Sequence, residues 1–366
     1  MKINISKNDL SDAINTVFKG ISSRSTLPIL AGMLLEAKPD GTVTFQTTDL
    51  EISIRHTAVA DVVESGKTVL PGKLFSDIVK TLPDAAVGID SDESVAHIDC
   101  LGSSFTLSTL NATDFPYFPE VSADTVIELD PASLEKAVLK VSRAVSKDES
   151  RAILTGVLFS VEEGKVRLAA TDSYRLAVAN MPLESGGSDG FQAVVPGRTF
   201  EDVARLASSE KSISIGFSEN QIVFSFGSTT FVSRKIEGTY PNYKQLIPPS
   251  HEVTVRLDTK EFTTAIKRVS LLAQSHTPVK LSFSSEAQQV TVSAKTQDVG
   301  GASEVVEAVV EGEDIEIAFN HQYLLDGLNA VEGDAVLELQ TPLKPGIMKS
   351  SEEDGFIYLA MPVRLS

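Results

Sequence analysis

The sequence repeats itself three times, and this repetition constrains the fold more than any other feature. Three segments with one shared pattern lie close to a third of the 366-residue chain apart. They are Val69-Leu70-Pro71-Gly72-Lys73-Leu74-Phe75, Val194-Val195-Pro196-Gly197-Arg198-Thr199-Phe200 and Ala318-Phe319-Asn320-His321-Gln322-Tyr323-Leu324. Thr48-Asp49-Leu50 likewise returns as Thr171-Asp172-Ser173, whereas the third copy has Thr296 without the aspartate. Because several matches recur in one order at nearly one spacing, we interpret the chain as a triplication.

Each repeat combines two helices with many strands. The predicted helices cover 7–19 and 72–82, 131–146 and 197–207, and 259–272 and 321–331. Cap-type residues, Ser6, Asp130 and Asp258, precede the first helix of each repeat. Most of the remaining chain alternates apolar and polar residues, which is typical of half-buried strands. The pattern predicts an α+β fold with antiparallel sheets and helices packed on one face.

Two interruptions of the pattern mark the predicted domain boundaries. Pro119 follows the first repeat, and Pro248-Pro249-Ser250 follows the second. We therefore expect domains at 1–121, 122–249 and 250–366.

Composition excludes several classes of protein. No apolar run approaches the roughly 18 residues that a membrane-spanning helix needs. The segment Met1–Ile5 resembles a strand rather than a signal peptide, so we expect a cytoplasmic protein. Cys100 is the single cysteine, which excludes an internal disulfide, and its alternating surroundings favour a packing role.

The net charge argues at first against a nucleic acid partner. The chain has 50 acidic and 32 basic residues, for a formal charge of −18. The acidic excess nevertheless lies mainly outside the helices, whose basic residues face away from their apolar stripes. They are Lys73, Lys80, Lys136, Lys140, Arg143, Lys147, Arg198, Arg205, Lys260 and Lys267. Such residues are either a solvated surface or, if the helices share one wall, a site for a phosphate backbone.

Enzymatic motifs are weak. Ser65-Gly66-Lys67-Thr68 resembles the end of a phosphate-binding loop, but Asp61 stands at the first glycine position. The histidines have no metal-ligand spacing, and no nucleophile elbow is present. Asp49 and Glu51 are spaced like a carboxylate pair, yet the matching residues are Asp172 and Tyr174, which favours a turn role. We therefore predict no catalytic residue, cofactor or metal.

Several motifs resemble those of one known family. They are Arg24-Ser25-Thr26-Leu27-Pro28-Ile29-Leu30, Thr48-Asp49-Leu50-Glu51, Phe105-Thr106-Leu107-Ser108-Thr109-Leu110, Asp114-Phe115-Pro116, Thr171-Asp172-Ser173-Tyr174-Arg175-Leu176-Ala177, Tyr240-Pro241-Asn242-Tyr243 and Met361-Pro362-Val363-Arg364-Leu365. Over its whole length the chain resembles the bacterial DNA polymerase III beta subunits, the sliding clamps. The resemblance implies a processivity factor without enzymatic activity. It also implies three clamp domains per chain, and two chains joined head to tail around duplex DNA, with helices lining the hole.

The resemblance also implies a pocket between the second and third domains. In this family it binds short linear motifs of polymerases, the clamp loader and repair proteins. The matching residues are Leu154, Thr171, Ser173, Tyr174, Arg175, Leu176, Pro241, Leu246, Asn320, Tyr323, Met361, Pro362, Val363 and Arg364. Ordinary sheet core is the competing interpretation for Leu154, Leu176 and Val363. Ser173 and Tyr174 replace the family's frequent glycine and histidine, so the rim of the pocket differs.

DNA and subunit contacts follow from the same resemblance. It adds Arg24, in the loop after the first helix, to the basic candidates. It assigns subunit contacts to Phe105, Leu107, Leu271 and Leu272, with hydrophobic packing as the alternative. Such a clamp would act in the cytoplasm at the nucleoid. Two other functions remain open from the residues alone: an enzyme of unknown type on a repeated α+β scaffold, and a scaffold for proteins only.

Overall fold

A computed structural model describes residues 1–22, 26–273, 278–352 and 355–364. In this part of the chain, 27 strands and six α-helices follow one order that occurs three times. Each repeat has one strand, a helix, five strands, a second helix and three strands. The predicted α+β class and the triplication are therefore confirmed.

The bounds of the elements are as follows. The first repeat contains β1 (Lys2–Ser6), α1 (Lys7–Val17), β2 (Gly32–Ala37), β3 (Thr42–Thr48), β4 (Ile52–Val59), β5 (Asp61–Glu64), β6 (Gly66–Pro71), α2 (Gly72–Thr81), β7 (Ala86–Ser91), β8 (Val95–Cys100) and β9 (Ser103–Ser108). The central repeat contains β10 (Thr125–Leu129), α3 (Pro131–Ser142), β11 (Gly156–Glu162), β12 (Lys165–Thr171), β13 (Arg175–Pro182), β14 (Ser185–Gly186), β15 (Gln192–Pro196), α4 (Gly197–Ala207), β16 (Ile213–Phe217), β17 (Gln221–Phe226) and β18 (Thr229–Arg234). The third repeat contains β19 (Val253–Leu257), α5 (Thr259–Val269), β20 (Val279–Ser284), β21 (Gln289–Thr296), β22 (Gly300–Glu307), β23 (Val309–Glu311), β24 (Ile315–Phe319), α6 (His321–Leu328), β25 (Ala335–Leu339), β26 (Gly346–Ser350) and β27 (Phe356–Ala360).

The first helix of each repeat begins directly after its predicted cap residue, but several helices end earlier than predicted. The Ser6 hydroxyl accepts a hydrogen bond from the Asp9 amide at 3.0 Å, and the Asp258 carboxylate accepts one from the Glu261 amide at 2.6 Å. These bonds satisfy amides that have no partner inside the helix. The helix α3 ends at Ser142 rather than near 146, because the following residues tighten into 3-10-type bonds.

The repeated Thr-Asp motif forms the same turn twice. Thr48 accepts the Leu50 amide at 3.1 Å, and Asp49 accepts the Ile52 amide at 2.8 Å. In the central repeat Thr171 and Asp172 accept the corresponding amides at 3.1 Å each. The turn role predicted for Asp49 is therefore confirmed.

One compact unit consists of Met1–Ala132, Glu184–Gly187 and Asp202–Lys235. It contains a five-stranded sheet in the order β5-β1-β7-β8-β9 and a nine-stranded sheet in the order β14-β10-β16-β17-β18-β4-β3-β2-β6. All of their strand pairs are antiparallel. The pair β18–β4 joins the central repeat to the first, with Phe231 opposite Ile54.

The other compact unit consists of Ser133–Leu183, Ser188–Glu201 and Ile236–Ser366. It contains a nine-stranded sheet in the order β15-β11-β12-β13-β27-β26-β25-β19-β23 and a four-stranded sheet in the order β22-β21-β20-β24. The pair β13–β27 joins the central repeat to the third, with Tyr358 opposite Ala177. In the two units, equivalent strands therefore make equivalent connections.

Apolar helix faces and sheet faces build the cores. The predicted stripe of α5, which includes Phe262 and Ile266, is fully buried, and α5 packs on β21 and β22. Each such side chain contributes about 1.5–3 kcal/mol when it is buried. Cys100 is also buried, in agreement with its predicted packing role. Among the described residues, no helix has both the length and the apolarity that crossing a bilayer would require.

Gly327 lets α6 pack closely on β27. A Cβ atom at this position would lie 2.6 Å from Cδ1 of Tyr358, whose ring is fully buried. We expect Gly327→Ala to lower the free energy of unfolding by about 1–3 kcal/mol, because overpacking outweighs the higher helix propensity of alanine. Urea unfolding measures the change. Gly102→Ala is the control, since its Cβ meets nothing within 4 Å; equal effects of the two changes would contradict this account.

His56 should make stability depend on pH. Its imidazole lies opposite Thr229, and Nδ1 is 2.9 Å from the threonine hydroxyl. Burial lowers the pKa of His56 below its ordinary value of 6.5, although the carboxylates of Glu210 and Asp12 oppose the shift. Below pH of about 6.5 the unfolded chain therefore binds a proton that the folded chain does not, and stability falls. The free energy of unfolding should decline more from pH 7.5 to 5.5 in the wild type than in His56→Gln, and parallel declines would refute the prediction.

Candidate functional site

A turn of the central repeat presents two adjacent side chains in opposite directions. Arg151 braces this turn, with Nη1 2.9 Å from the Ser173 hydroxyl and Nη2 3.3 Å from the Asp172 carbonyl oxygen. Ser173 has φ of +81°, a conformation that glycine adopts without strain. The turn leaves Tyr174 60% exposed and directs Arg175 inward.

The guanidinium of Arg175 is held from three sides. Its Nε donates to Asp172 Oδ2 at 3.0 Å, its Nη1 donates to Asp326, and its plane lies 4.7 Å from the ring centre of Tyr323. Burial alone would lower the pKa of Arg175, but the oxygens of Tyr358, Asp326 and Asp172 outweigh it and raise the pKa. The resemblance had pointed to Arg175 and Tyr323. Asp326 and Arg151 were missed, since helix periodicity and loop position give no sign of these long-range contacts.

An apolar floor lies beside Arg175. Leu176 is fully buried in a cluster with Leu158, Leu359 and Tyr243, and Leu154 is also buried. Core packing, the competing interpretation of Leu154 and Leu176, therefore describes their present environment. Of the remaining candidates on this side, Pro241 and Leu246 are exposed next to Tyr243.

The chain's last described residues form one side of the site. The Met361 amide donates to the Tyr174 carbonyl at 2.8 Å, and the Val363 amide donates to the Ala318 carbonyl at 2.8 Å. The side chains of Met361 and Val363 stay partly exposed. Pro362 is half-buried between them, and Arg364 lines an open cavity of about 1160 Å³ beside β21 and β22.

Asn320 has a local role. Its side chain caps α6 by accepting the Gln322 amide at 2.8 Å. This bond positions the first turn of α6, which carries Tyr323. The candidate residues of the pocket thus come from the central and third repeats of one compact unit.

The corresponding surface of the first repeat is polar. Where Ala169, Leu176 and Val178 stand in the central repeat, the matching sheet positions hold Gln46, Ser53 and Arg55. The Arg55 guanidinium lies 3.9 Å from the ring centre of Phe118.

In the central repeat, the apolar floor at Leu176 lies next to the fixed guanidinium of Arg175. This arrangement suits the capture of a short peptide, because apolar contacts give affinity and a few polar groups give orientation.

The basic candidates differ in their environments. Arg24 lies outside the described residues. Nine of the others are exposed: Lys73, Lys80, Lys136, Arg143, Lys147, Arg198, Arg205, Lys260 and Lys267. Lys140, predicted on the same outward face, is instead 7% exposed. Its ammonium pairs with Glu332 at 3.0 Å and lies 5.6 Å from the ring centre of Phe356, so packing holds it.

Some of the exposed cations also have partners. Lys136 pairs with Glu332 at 2.9 Å, Lys80 lies 3.9 Å from Asp77, and Arg143 lies 3.4 Å from Asp326. The hydrogen bond from Lys136 and the charge of Lys140 lower the pKa of the Glu332 carboxyl. Within residues 1–22, 26–273, 278–352 and 355–364, no ion pair joins the remaining six cations to a carboxylate. They are Lys73, Lys147, Arg198, Arg205, Lys260 and Lys267.

The candidate subunit contacts lie on or near two edge strands. Phe105 and Leu107 belong to β9, the last strand of the five-stranded sheet; Phe105 is half-buried, whereas Leu107 is already buried in its own unit. In the other unit, Leu271 is 83% exposed and Leu272 half-buried, just after α5, which packs on the edge strand β22. Hydrophobic packing within the chain therefore explains the apolar residue at Leu107 but not the exposed one at Leu271.

The motif Ser65-Gly66-Lys67-Thr68, which resembles the end of a phosphate-binding loop, lies largely in a sheet. Residues Gly66–Pro71 form β6, which pairs with β2 along its whole length. A phosphate-binding loop would need free backbone amides at the start of a helix. The segment therefore has a structural role.

Comparison with known proteins identifies the family. The profile of the DNA polymerase III beta subunit N-terminal domain matches residues 1–119, that of the central domain matches 128–242 and that of the C-terminal domain matches 244–364. The beta sliding clamps of Staphylococcus epidermidis and Staphylococcus aureus are each 35% identical to the chain, covering 100% of it and 99% of their own length.

Solved structures agree with this assignment. The DNA polymerase sliding clamp of Bacillus subtilis is 31% identical with a TM-score of 0.93, and that of Bartonella birtlesii, bound to griselimycin, is 28% identical with a TM-score of 0.94. Both comparisons cover 100% of each chain. The chain therefore belongs to the DNA polymerase III beta subunits, the bacterial sliding clamps, which are non-catalytic processivity factors built from three clamp domains.

Proposed function

We propose that two copies of the chain join head to tail into a closed ring that encircles duplex DNA and tethers replication and repair proteins. The observation that carries this proposal is a pair of edge strands, one in the first repeat and one in the third, whose equivalents in the other repeats pair with each other. Inside the chain, β18 pairs with β4 and β27 pairs with β13. The strands equivalent to these are β9 at one end of the chain and β22 at the other. Pairing β9 of one copy with β22 of the other would cover both edges.

The sheet registers specify the expected contact. The aromatic residues Phe231 and Tyr358 lie opposite Ile54 and Ala177. Phe105 occupies in its own sheet the position that Phe231 and Tyr358 occupy in theirs. Ala302, which pairs with Ala294, occupies the position that corresponds to Ile54. We therefore expect Phe105 of one copy to lie opposite Ala302 of the other.

Contacts at the helix ends support the same arrangement. Lys19, shortly after α1, pairs with Asp202 at 3.0 Å, and Arg143, after α3, lies 3.4 Å from Asp326. Counted from its helix cap, the equivalent residue after α5 is Leu271. Its exposed apolar side chain would replace the cation in the contact between subunits and pack against the other copy.

DNA contact would come from the outward cations of the helices. Six of them, described above, have no carboxylate partner in the described part of the chain, and the rest of the chain is strongly acidic. A ring lined by these residues would attract the phosphate backbone without reading bases, and the acidic exterior would repel it. Weak contact allows sliding, while encirclement keeps the clamp on DNA.

Partners would dock at the pocket formed by Leu176, Arg175, Tyr174, Tyr323 and Met361. Short linear motifs of the replicative polymerase, the clamp loader and repair proteins would insert apolar side chains over the Leu176 floor. Docking raises the effective concentration of the polymerase at the primer end, since ring and polymerase then travel together.

Changing Leu271 tests the subunit contact. We expect Leu271→Asp to weaken the dimer about 30-fold or more, because a desolvated carboxylate would replace an apolar contact. Sedimentation at a series of concentrations measures the dissociation constant. Val63→Asp, on the exposed opposite edge strand of the five-stranded sheet, is the control and should leave the dimer intact. A Leu271→Asp dimer as tight as the wild type would refute this contact.

Retention on circular DNA tests encirclement. Rings loaded by a clamp loader should remain on closed circles and leave after the circle is cut, which gel filtration of labelled protein follows. The Leu271→Asp variant should leave closed circles much faster than the wild type. Equal loss of the wild type from closed and linear DNA would exclude a topological link.

Removing Met361–Ser366 tests the pocket. The deletion removes the amide that binds the Tyr174 carbonyl and one side of the site. We expect binding of a polymerase-derived peptide to be abolished, as measured by fluorescence anisotropy, while the dimer persists in sedimentation. Unchanged peptide affinity would show that the pocket lies elsewhere.

A further inference from the structure

Asp326 is a buried carboxylate that serves three donors at once. It lies in α6, and its side chain is 8% exposed. Arg175 donates to Oδ2, while Gln322 Nε2 and Arg143 Nη1 reach Oδ1 at 2.9 Å and 3.4 Å. One carboxylate therefore connects an arginine of the candidate pocket to a candidate DNA-binding arginine after α3.

The two arginines are bound to Asp326 very differently. Arg175 is buried, and Asp172 and the Tyr323 ring also contact it. The Arg143 side chain is 51% exposed, and its distance to Oδ1 is at the long limit for a hydrogen bond. Arg143 can therefore leave the carboxylate at little cost when a stronger anion approaches, whereas Arg175 cannot.

The other internal junction of repeats provides a built-in comparison. Asp202 occupies in α4 the position that Asp326 occupies in α6, and it pairs with Lys19 as Asp326 pairs with Arg143. The position that corresponds to Arg175 is Ile52, which has no charge to offer. The cation at the helix end is thus common to both junctions, and the bond to Arg175 is an addition at the junction that carries the pocket.

We propose that Asp326 positions Arg175 for peptide capture and that Arg143 adjusts this positioning in response to DNA. When a backbone phosphate draws Arg143 away, Oδ1 keeps only Gln322, and more of the carboxylate's charge acts on Arg175. The guanidinium is then held more firmly over Tyr323, so a peptide loses less side-chain freedom on binding. A clamp on DNA therefore binds its peptide partners more tightly than a free clamp.

This coupling rests on the proposed function, because it requires both a peptide site and a DNA site. By linkage, a bound peptide must strengthen the contact with DNA by the same factor. The two states differ in one contact: Asp326 either shares its charge with Arg143 or does not.

Arg143→Gln tests the coupling without replacing the buried Arg175. Binding of a fluorescent polymerase-derived peptide is measured with and without a short DNA duplex at low salt. The wild type should bind the peptide about threefold more tightly with the duplex, since an exposed ion pair of this kind is weak. The variant should already bind about threefold more tightly without DNA and should respond no further. Arg256→Gln, which removes an exposed arginine from β19, should behave as the wild type does.

Asp326→Asn tests the positioning role. We expect about tenfold weaker peptide binding and no response to the duplex, since a charge-assisted bond to Arg175 is lost. Asp202→Asn is the matched control, because it removes the equivalent buried carboxylate from the junction without the pocket. It should lower the melting temperature comparably and leave peptide affinity and its DNA response unchanged. A merely structural role for Asp326 would predict the same behaviour for both variants.

The outcomes separate this inference from the proposed function. A wild type that binds both peptide and circular DNA but shows equal peptide affinity with and without duplex would overturn the coupling alone. An Arg143→Gln variant that still responds to duplex would overturn the role of Arg143. A wild type that binds no peptide would overturn the pocket and the coupling together.

Discussion

Backbone pairing between neighbouring repeats is the constraint on which the rest of the structure depends. The last strand of the central repeat completes a sheet begun by the first, and the last strand of the third completes a sheet begun by the central repeat. A repeat of this kind has two complementary edges, and a chain of three such repeats keeps one of each uncovered. In the proposed ring, a second copy would cover these two edges. Ring formation would thus follow from the repeat architecture, since the contact between subunits would be of the same kind as the contacts between repeats.

The three repeats have kept their backbone and diverged in their side chains. The same Thr-Asp turn precedes β4 and β13, yet the sheet surface beyond it is polar in one repeat and apolar in the other. The ion pair at the helix end is likewise retained with a changed cation: Lys19 pairs with Asp202 at one junction, and Arg143 pairs with Asp326 at the other. Backbone hydrogen bonds tolerate many side chains, so the shared scaffold could acquire a binding site at one junction without loss of the others.

Local signals in the sequence were sufficient for most elements and for the repeat, whereas the candidate pocket residues came from the family resemblance. Helix periodicity, the caps at Ser6 and Asp258, and the Thr-Asp motif depend on neighbours in the chain, and each was predictable. Long-range contacts were not. The burial of Lys140 against Phe356 and the ion pair of Arg175 with Asp326 join residues far apart in sequence, and no periodicity reports which charge meets which. The apolar floor at Leu176 was recognisable only through family resemblance, because a buried strand residue and a pocket residue obey the same pattern.

The division of the central repeat between two compact units also has a consequence for synthesis of the protein. One edge of β4 forms its backbone hydrogen bonds only when β18, which ends at Arg234, has paired with it. The first repeat therefore emerges from the ribosome well before its sheet partner and must wait for more than 100 further residues with one strand edge uncovered. Pairing of such distant segments is slow compared with helix formation. Until the central repeat has been made, that edge remains open to pairing with strands of other chains.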